Sequence, residues 1–347
     1  MTRSKKIICV LLAVCMLIPF AACAKKENEP TISTEPVTSE VTTTEPEPVN
    51  INILTGEDGL DEDMIGKRPL AIMVENHPDA RPQWGLTTPD IVVEGLVEGG
   101  ITRMMWIYSD VSEVEKIGPC RSARNNYIEV AEAFDAIYAH FGGSPHAYNM
   151  FNSDSSIDHI DFSKGGGKYD RDYSRGVASE HTAYTTGEWL TSAIENHGFR
   201  TEIKDSYSTP FTFAKSRKTL PDGECNEVLT VFSSSYKHTF KYDSEDGLYY
   251  NYMNSNRMND ANGEQMAVSN VLIISCNVSI YDTKYAEWNL SSGSGYYISN
   301  GTYQEIKWSK GGTHEMFKFT DTDGNEIEFN TGKFWIGFVP SGNTTIS

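Results

Sequence analysis

Two arginines, Arg121 and Arg124, stand close together just after a Gly-Pro pair and at the start of a predicted helix. Free backbone N–H groups at a helix start favour an anion, and a guanidinium group can bind a carboxylate or a phosphate through two parallel hydrogen bonds. The segment therefore predicts a site for an anionic group. The structural alternative is that both arginines pair with nearby acids, such as Glu94, Glu98 or Asp135, and only fasten the helix to a sheet.

A carboxylate and a cation lie at the two ends of a six-residue segment that runs from Glu98 to Arg103 and contains Gly99-Gly100. The glycines predict a flexible turn between two strands. Glu98 and Arg103 then either face each other across a hairpin, which is a structural role, or line a cleft, which is a functional one. With Arg121 and Arg124 they form a predicted ligand-binding group, in which the two arginines and Glu98 line the principal polar cleft.

Two histidines, His140 and His181, complete the predicted ligand-binding residues; the first ends a predicted buried strand and the second lies in a loop. Together with Glu98 they give the alternative function, a cell-wall-directed hydrolase in which these side chains act as acid and base. This alternative requires both histidines to meet Glu98 in one open pocket. Ser144 is not predicted as a nucleophile, because Pro145 follows it and the pair is typical of a helix start.

The sequence lacks the patterns of a metal centre or of a disulfide framework. It has no H-E-x-x-H motif, and it predicts no metal site and no cofactor. Apart from those near the N-terminus, the cysteines are Cys120, Cys225 and Cys276, which are widely spaced and form no C-x-x-C pair. This pattern favours three buried thiols, with one disulfide as the alternative.

The N-terminal segment has the layout of an export signal: a basic start, an apolar run over residues 7–20, and Ala21-Ala22 before Cys23. The apolar run is too short to span a bilayer comfortably. A cysteine after two small residues resembles the acceptor of bacterial lipoproteins, in which the thiol is diacylglyceryl-modified and the peptide is cut just before it. We therefore predict a signal peptide over residues 1–22 and a lipid anchor at Cys23, which holds the chain on the extracytoplasmic face of the cell membrane.

The chain is strongly acidic. Its formal charge is -19, and it becomes -22 once the signal peptide, with three cations and no anions, is removed. Such a surface repels nucleic-acid phosphates, so no nucleic-acid partner is expected. The segment after Cys23 is rich in Thr, Glu and Pro and cannot bury enough apolar surface to fold. Residues 23–65 are therefore predicted to be the lipidated cysteine and a disordered tether.

The periodicity of apolar residues predicts an α+β fold in two domains. Over residues 66–220, short apolar runs alternate with a helix over Arg124–Ala133, capped by Ser122, and a second helix over residues 186–196, which indicates a mixed α/β domain. Over residues 221–347, short alternating runs are separated by Gly, Asn and Asp. This second pattern predicts an antiparallel all-β domain.

Several segments resemble those of the YerB-like bacterial lipoproteins, a family defined by a two-part domain of unknown function. They include Val74-Glu75-Asn76-His77, Glu98 to Arg103, Gly118 to Arg124 and Asn330-Thr331-Gly332. One departure is Glu180-His181-Thr182, where Pro-His-Asn is typical. The resemblance implies a surface lipoprotein and supplies no reaction. We therefore expect a binding or assembly component of the cell envelope, with a cell-wall polymer or an envelope protein as its partner.

Overall fold

The structure is a computed structural model that describes residues 50–347 of the chain. Its largest feature is a mixed β-sheet of eleven strands. The α-helices of this part are α1 (Asn125–Ala133), α2 (Pro145–Ser153) and α3 (Gly187–His197). Its earlier strands are β1 (Leu70–Glu75), β2 (Ile91–Leu96), β3 (Thr102–Tyr108), β4 (Ile137–His140), β5 (His159–Asp161), β6 (Asp170–Arg171), β7 (Ala183–Tyr184) and β8 (Thr212–Phe213).

The later strands begin near residue 223 and follow one another without a helix. They are β9 (Gly223–Glu224), β10 (Glu227–Ser233), β11 (Tyr236–Asp243), β12 (Leu248–Met253), β13 (Asn256–Arg257), β14 (Ala267–Val268), β15 (Asn270–Cys276), β16 (Val278–Tyr281), β17 (Tyr285–Trp288), β18 (Ser292–Ser299), β19 (Thr302–Lys310), β20 (Phe317–Thr320), β21 (Glu328–Phe329), β22 (Phe334–Pro340) and β23 (Thr344–Ile346). The predicted α+β class, mixed in the first part and all-β in the second, is confirmed.

Side-chain caps explain where two of the helices begin. The Ser144 hydroxyl accepts a hydrogen bond from the Ala147 N–H at the start of α2, as the Ser-Pro pair predicts, and Thr186 caps α3 in the same way. Helix α3 ends at Gly198, which adopts a left-handed conformation with φ 66°. The predicted cap of α1 is wrong: Arg124, not Ser122, is the N-cap residue, and its side chain makes no capping hydrogen bond.

The eleven-stranded sheet combines strands from both parts of the sequence. Its main path through the described residues runs β20-β19-β18-β15-β22-β2-β3-β1-β4-β5. Strand β22 lies between β2 and β15 and runs parallel to both, with Phe334 beside Ile91 on one side and beside Asn270 on the other. Residue 220, the predicted domain boundary, therefore divides the sequence but not the sheet. The second part is also not purely antiparallel, since β22 and β15 run in the same direction.

Both faces of this sheet are covered. Because side chains alternate along a strand, Ala71 and Met73 of β1 face the core that contains α1, whereas Ile72 and Val74 face the opposite core. The opposite core also holds Leu190 of α3 together with residues of a second sheet, whose order is β13-β12-β11-β10-β23 with β14 beside β12. The sheet is thus buried on both sides, which explains its nearly continuous apolar strands.

Residues 50–65 pack against the body, although the predicted tether extended to residue 65. Leu54 is fully buried in the core. The Asn52 side-chain amide donates to Asp90 at 2.9 Å, and the Ser109 hydroxyl donates to Asn52 at 2.5 Å. Contacts of residues 52–55 thus hold a segment whose acidic composition is typical of a tether.

The three cysteines of the described part, Cys120, Cys225 and Cys276, are buried and unbridged, which confirms the predicted free thiols. Among the helices of residues 50–347, none is long and apolar enough to cross a membrane. The predicted signal peptide, Cys23 and the tether up to residue 49 lie outside the described residues.

Candidate functional site

The ends of three neighbouring strands bring charged side chains to one edge of the sheet. Strand β3 runs antiparallel to both β1 and β2, so the first residues of β3 lie beside the last residues of its neighbours. Glu75 at the end of β1 is therefore paired in register with Arg103 near the start of β3, and the turn that contains Glu98 lies next to them. The predicted pair Glu98 and Arg103 thus belongs to a larger group that includes Glu75.

The segment before α1 delivers the two arginines to this edge. Its backbone pairs with the end of β1, past the residues of β1 that pair with β4. The Glu75 N–H donates to the carbonyl of Pro119, and the Arg121 N–H donates to the carbonyl of Met73, each at 2.9 Å. On its other side, the Cys120 N–H donates to the carbonyl of Ala183 at 2.7 Å. The backbone at Arg121 is therefore fixed on two sides, which sets the direction of its side chain.

Arg121 forms ion pairs with two carboxylates that differ in their surroundings. Its Nε lies 3.1 Å from Oε1 of Glu75, a nearly buried side chain, and its Nη2 lies 2.7 Å from Oε2 of Glu180. The Glu180 side chain, which lies in a one-turn 3-10 helix, is 55% exposed. The hydrogen bond and charge of Arg121 lower the pKa of Glu180 from its usual value. Arg121 is thus anchored on its inner side and paired only with a surface residue on its outer side.

His181 shares the same buried carboxylate. Its Nδ1 lies 2.9 Å from Oε2 of Glu75, so Glu75 bridges His181 and Arg121. The opposite nitrogen, Nε2, lies 4.0 Å from the carboxylate of Asp79 and 3.9 Å from that of Glu180, beyond hydrogen-bond distance. The ring stacks on His77, with centroids 4.7 Å apart. We call the five residues Glu75, His77, Asp79, Glu180 and His181 the acidic histidine cluster.

Arg124 pairs with Glu98, as the structural alternative from the sequence expected. The Arg124 Nε donates to Oε1 of Glu98 at 2.5 Å, and Nη2 of Arg103 lies 3.9 Å from Oε2 of the same carboxylate. Burial raises the pKa of Glu98, but the hydrogen bond and charge of Arg124 and the charge of Arg103 outweigh this effect and leave the pKa below its usual value.

Arg103 is almost entirely enclosed and donates from Nη1 to the carbonyl of Ser122 at 2.8 Å. Burial and the nearby charge of Arg124 lower the pKa of Arg103 to about 9. The side chain therefore stays protonated at neutral pH. Because its own donors are directed to Ser122 and Glu98, Arg103 acts in this structure as a support for the strand edge.

His140 lies in a different network. Its Nδ1 contacts the carbonyl of Gly142 at 2.7 Å, its Nε2 lies 3.0 Å from Nδ1 of His159, and its ring stacks on Phe151. Burial lowers the pKa of His140 to about 4, so the ring is neutral at neutral pH. Among residues 50–347, no hydrogen bond or ion pair joins His140 to His181 or to Glu98. The hydrolase hypothesis required these three side chains to meet, and the structure does not bring them together.

Sequence reasoning missed four members of the cluster, namely Glu75, His77, Asp79 and Glu180. The first two are separated by one residue at the end of a predicted strand, so their side chains leave the strand on the same face. The available signal in the sequence was this spacing of a carboxylate and an imidazole, followed two residues later by Asp79. The residue that completes the group, His181, comes from a segment more than a hundred positions away and only the fold reveals its proximity.

The fold places this chain in the class of two-part α+β proteins, and its shared sheet presents a cluster of arginine and histidine side chains at one edge. Two family models match the chain: Protein of unknown function (DUF3048) N-terminal domain over residues 54–200, and Protein of unknown function (DUF3048) C-terminal domain over residues 228–336. "Putative lipoprotein YerB" of Bacillus subtilis (strain 168) is 30% identical over 289 residues, which cover 79% of this chain and 82% of that protein.

A solved structure gives the same assignment. The crystal structure of YerB protein from Bacillus subtilis is similar to this one with a TM-score of 0.74 and 27% identity, over 86% of this chain and 99% of that chain. The chain belongs to the YerB-like family, as the segments quoted from its sequence predicted.

Proposed function

We propose that this protein is a lipid-anchored lipoprotein on the extracytoplasmic face of the membrane and that it binds an anionic group of an envelope ligand at Arg121. The observation that supports the binding site is the asymmetry around Arg121. On the inner side, Nε lies 3.1 Å from the buried carboxylate of Glu75, whereas the outer Nη2 meets only the exposed carboxylate of Glu180 among its ion-pair partners in residues 50–347.

Glu180 acts in this proposal as a replaceable partner. An ion pair with an exposed member contributes only about 0–1 kcal/mol, so a ligand carboxylate or phosphate can displace Glu180 at little cost. A charge-assisted hydrogen bond to the ligand is worth roughly 1.5–3 kcal/mol. Arg124 does not take part directly, because its Nε is already paired with the half-buried Glu98. It supports the site by holding the turn that carries Glu98 beside Arg103.

The anchor is proposed from the sequence and from the relative's name. Cys23 follows two small residues, and a relative at 30% identity is named as a lipoprotein. A flexible tether of residues 23–49 would have an end-to-end distance on the order of 30 Å. Such a tether keeps the body close to the bilayer, where a cell-wall polymer or an envelope protein is within reach.

The binding site is tested by replacing Arg121 and, separately, its outer partner. Arg121→Ala should weaken binding of muropeptides or teichoic acid fragments about tenfold or more, because the main charged donor is lost. Glu180→Gln should strengthen binding several-fold, because a competing carboxylate is removed. Isothermal titration of the full chain gives both values, and Arg217→Ala, which removes an exposed arginine that bonds the carbonyl of Gly247, is the matched control.

The opposite pattern would contradict the site. If Arg121 is structural, Arg121→Ala lowers the melting temperature, because the buried carboxylate of Glu75 loses its partner, and it leaves ligand affinity at the wild-type value. Equal affinities for the wild type, Arg121→Ala and Glu180→Gln, measured on folded protein, would exclude Arg121 as the anion-binding residue.

The anchor is tested by Cys23→Ala. Stable attachment of a folded body requires two acyl chains or an equivalent second signal, so this variant should move from the membrane fraction to the soluble fraction and lose incorporation of labelled fatty acid. Fractionation followed by blotting measures the first change, and detection of the label on the isolated protein measures the second. Membrane retention of a processed, unlabelled Cys23→Ala protein would contradict lipid anchoring, and Cys225→Ala, which removes a buried thiol, serves as the control.

A further inference from the structure

Three potential metal ligands converge in the acidic histidine cluster. His77, Asp79 and His181 each offer one ligand atom, and these atoms all lie within 4.8 Å of one another. Imidazole nitrogen and carboxylate oxygen are ligands that Zn²⁺ accepts. The three residues come from two segments, since His77 and Asp79 follow β1 whereas His181 belongs to the turn before β7. The fold, rather than a local sequence motif, brings them together.

The contact between Glu75 and His181 has the form that orients a metal-binding histidine. In protein metal sites, the ring nitrogen that does not touch the metal usually donates to a carboxylate, which fixes the tautomer and makes the other nitrogen more basic. Here Oε2 of Glu75 lies 2.9 Å from Nδ1 of His181. The opposite Nε2 is directed toward the carboxylates of Asp79 and Glu180, at 4.0 Å and 3.9 Å, without bonding either of them.

The local charge also suits a divalent cation. Glu75, Asp79 and Glu180 supply three negative charges around the two imidazoles, and Arg121 supplies one positive charge. Arg103, which lies beside Glu75 in the strand register, supplies a second positive charge on the inner side, so the negative charge of the group is concentrated at the exposed carboxylates of Asp79 and Glu180. A cation placed beside Nε2 of His181 would lie next to both of these carboxylates.

We infer that His181, His77 and Asp79 bind a divalent transition-metal cation such as Zn²⁺. Glu75 is a positioning residue that orients His181. Tetrahedral coordination at about 2.0–2.2 Å places ligand atoms roughly 3.4 Å apart, so the three atoms must move closer together. His77 and Asp79 can make this movement, since their side chains are 33% and 55% exposed, whereas His181 is held by Glu75. The carboxylate of Glu180 lies beside this group, with Oε1 3.9 Å from Nε2 of His181.

This inference does not depend on the proposed anion site, although the two are adjacent. Glu180 reaches Arg121 with one carboxylate oxygen and faces His181 with the other. An anion that replaces Glu180 would therefore lie between the guanidinium group and the metal. Metal binding itself needs neither Arg121 nor the anion, and this difference allows the two proposals to be tested separately.

The test is a titration of the full chain with ZnCl₂ after treatment with a chelator, followed by Co²⁺ substitution to record the absorption bands of tetrahedral cobalt. The wild type should bind one equivalent saturably. His77→Ala and Asp79→Asn, which change partly exposed residues, should each weaken binding by at least about tenfold, and Glu75→Gln should weaken it by about 10- to 100-fold. Arg121→Ala should still bind Zn²⁺, which separates this result from the anion site.

His197→Ala is the matched control, because His197 is an exposed histidine at the end of α3, outside the cluster. It should bind Zn²⁺ as the wild type does. His181→Ala is not used alone, since it leaves the buried carboxylate of Glu75 without its imidazole partner. A wild-type chain without a saturable one-equivalent site would overturn the inference. So would unchanged affinity in both His77→Ala and Asp79→Asn.

Discussion

Two pairs of glutamate and histidine in this protein have the same chemistry and opposite surroundings. In the acidic histidine cluster, Glu75 contacts His181 at the edge of the sheet, close to exposed side chains. In the interior, Glu94 of β2 contacts Nε2 of His238 of β11 at 3.0 Å, and both side chains are fully buried. The comparison shows how a glutamate–histidine contact can either complete a core or leave one ring nitrogen without a hydrogen bond beside exposed carboxylates.

The interior pair is satisfied on every side. Oε1 of Glu94 also accepts hydrogen bonds from Thr102 at 2.6 Å and from Asn76 at 2.9 Å, and Oε2 accepts one from Trp335 at 3.3 Å. The second ring nitrogen of His238 lies 2.9 Å from Oδ1 of Asn251. A buried polar network with all its partners in place specifies one arrangement of the elements that contribute to it.

These partners come from both parts of the sequence. Glu94 and Thr102 belong to the first part, whereas His238 and Trp335 belong to the second. The buried pair therefore fastens the six-stranded sheet to the shared sheet, and the absence of any solvent contact leaves it no room for a ligand. By contrast, Nε2 of His181 faces the exposed Asp79 and Glu180 without a hydrogen bond, and the pair at the sheet edge is the one for which binding is proposed above.

The largest effect is expected from His238→Ala. Removing the imidazole leaves the fully buried carboxylate of Glu94 without its histidine partner, which costs about 3–5 kcal/mol of unfolding free energy. Urea denaturation followed by tryptophan fluorescence measures the loss, with exposed His197→Ala as the control that should stay within about 0.5 kcal/mol of the wild type. A change for His238→Ala as small as that of the control would show that the interior pair does not hold the two parts together.

A smaller loss of folding stability is expected when the pH is lowered. Burial raises the pKa of Glu94, but the charge and hydrogen bond of His238, with the bonds of Thr102 and Trp335, bring it below the ordinary value of 4.5. A carboxyl group whose pKa is lowered by folding stabilises the protein above its unfolded pKa. This contribution is lost as the pH falls through the folded pKa. The wild type should therefore lose stability below about pH 4.5.

The variant Glu94→Gln cannot titrate, so its urea midpoint should fall less between pH 7 and pH 3.5 than that of the wild type. Glu245→Gln removes an exposed carboxylate and is the control for the general effect of one fewer charge. If Glu94→Gln and the wild type lose stability equally over this range, Glu94 is not the group whose protonation weakens the interior.

The smallest change in stability is expected from Glu180→Gln. The side chain is more than half exposed, and exposed ion pairs contribute little because water and salt screen them. Its unfolding free energy should stay within about 0.5 kcal/mol of the wild type, while its ligand affinity changes. A loss above about 2 kcal/mol would show that Glu180 is part of the folded framework, and the contrast between the surface and interior pairs would then fail.

The sequence predicted most of the local secondary structure, but few of the contacts between residues that are far apart along the chain. The predicted strands at Leu70 and Ile91 and the helices near Arg124 and Thr186 agree with the structure within a few residues, because their signals are local periodicity and caps. The cap of α1 was misassigned because Ser122 is a better capping residue by type than Arg124, whereas the strand pairing of this segment places Arg124 at the helix start.

The site was only partly predictable for the same reason. The pairing of Arg124 with Glu98 was foreseen as the structural alternative, since both lie in segments whose order along the chain was clear. The bridge from Glu75 to His181 joins residues 106 positions apart, and the contact of Glu94 with His238 joins residues 144 positions apart. No local pattern encodes contacts between residues so far apart along the chain.

The position of β22 has a consequence for how the chain acquires its fold during synthesis. Strand β2 pairs with β3 on one side and with β22 on the other, and the contact between Glu94 and Trp335 spans 241 positions. A ribosome therefore releases β2 long before its second neighbour exists. Throughout that interval the nascent chain carries an apolar strand with an open hydrogen-bonding edge, which is a surface prone to pairing with other chains. The second edge of β2 is therefore paired only after the segment that ends at residue 340 has joined the sheet.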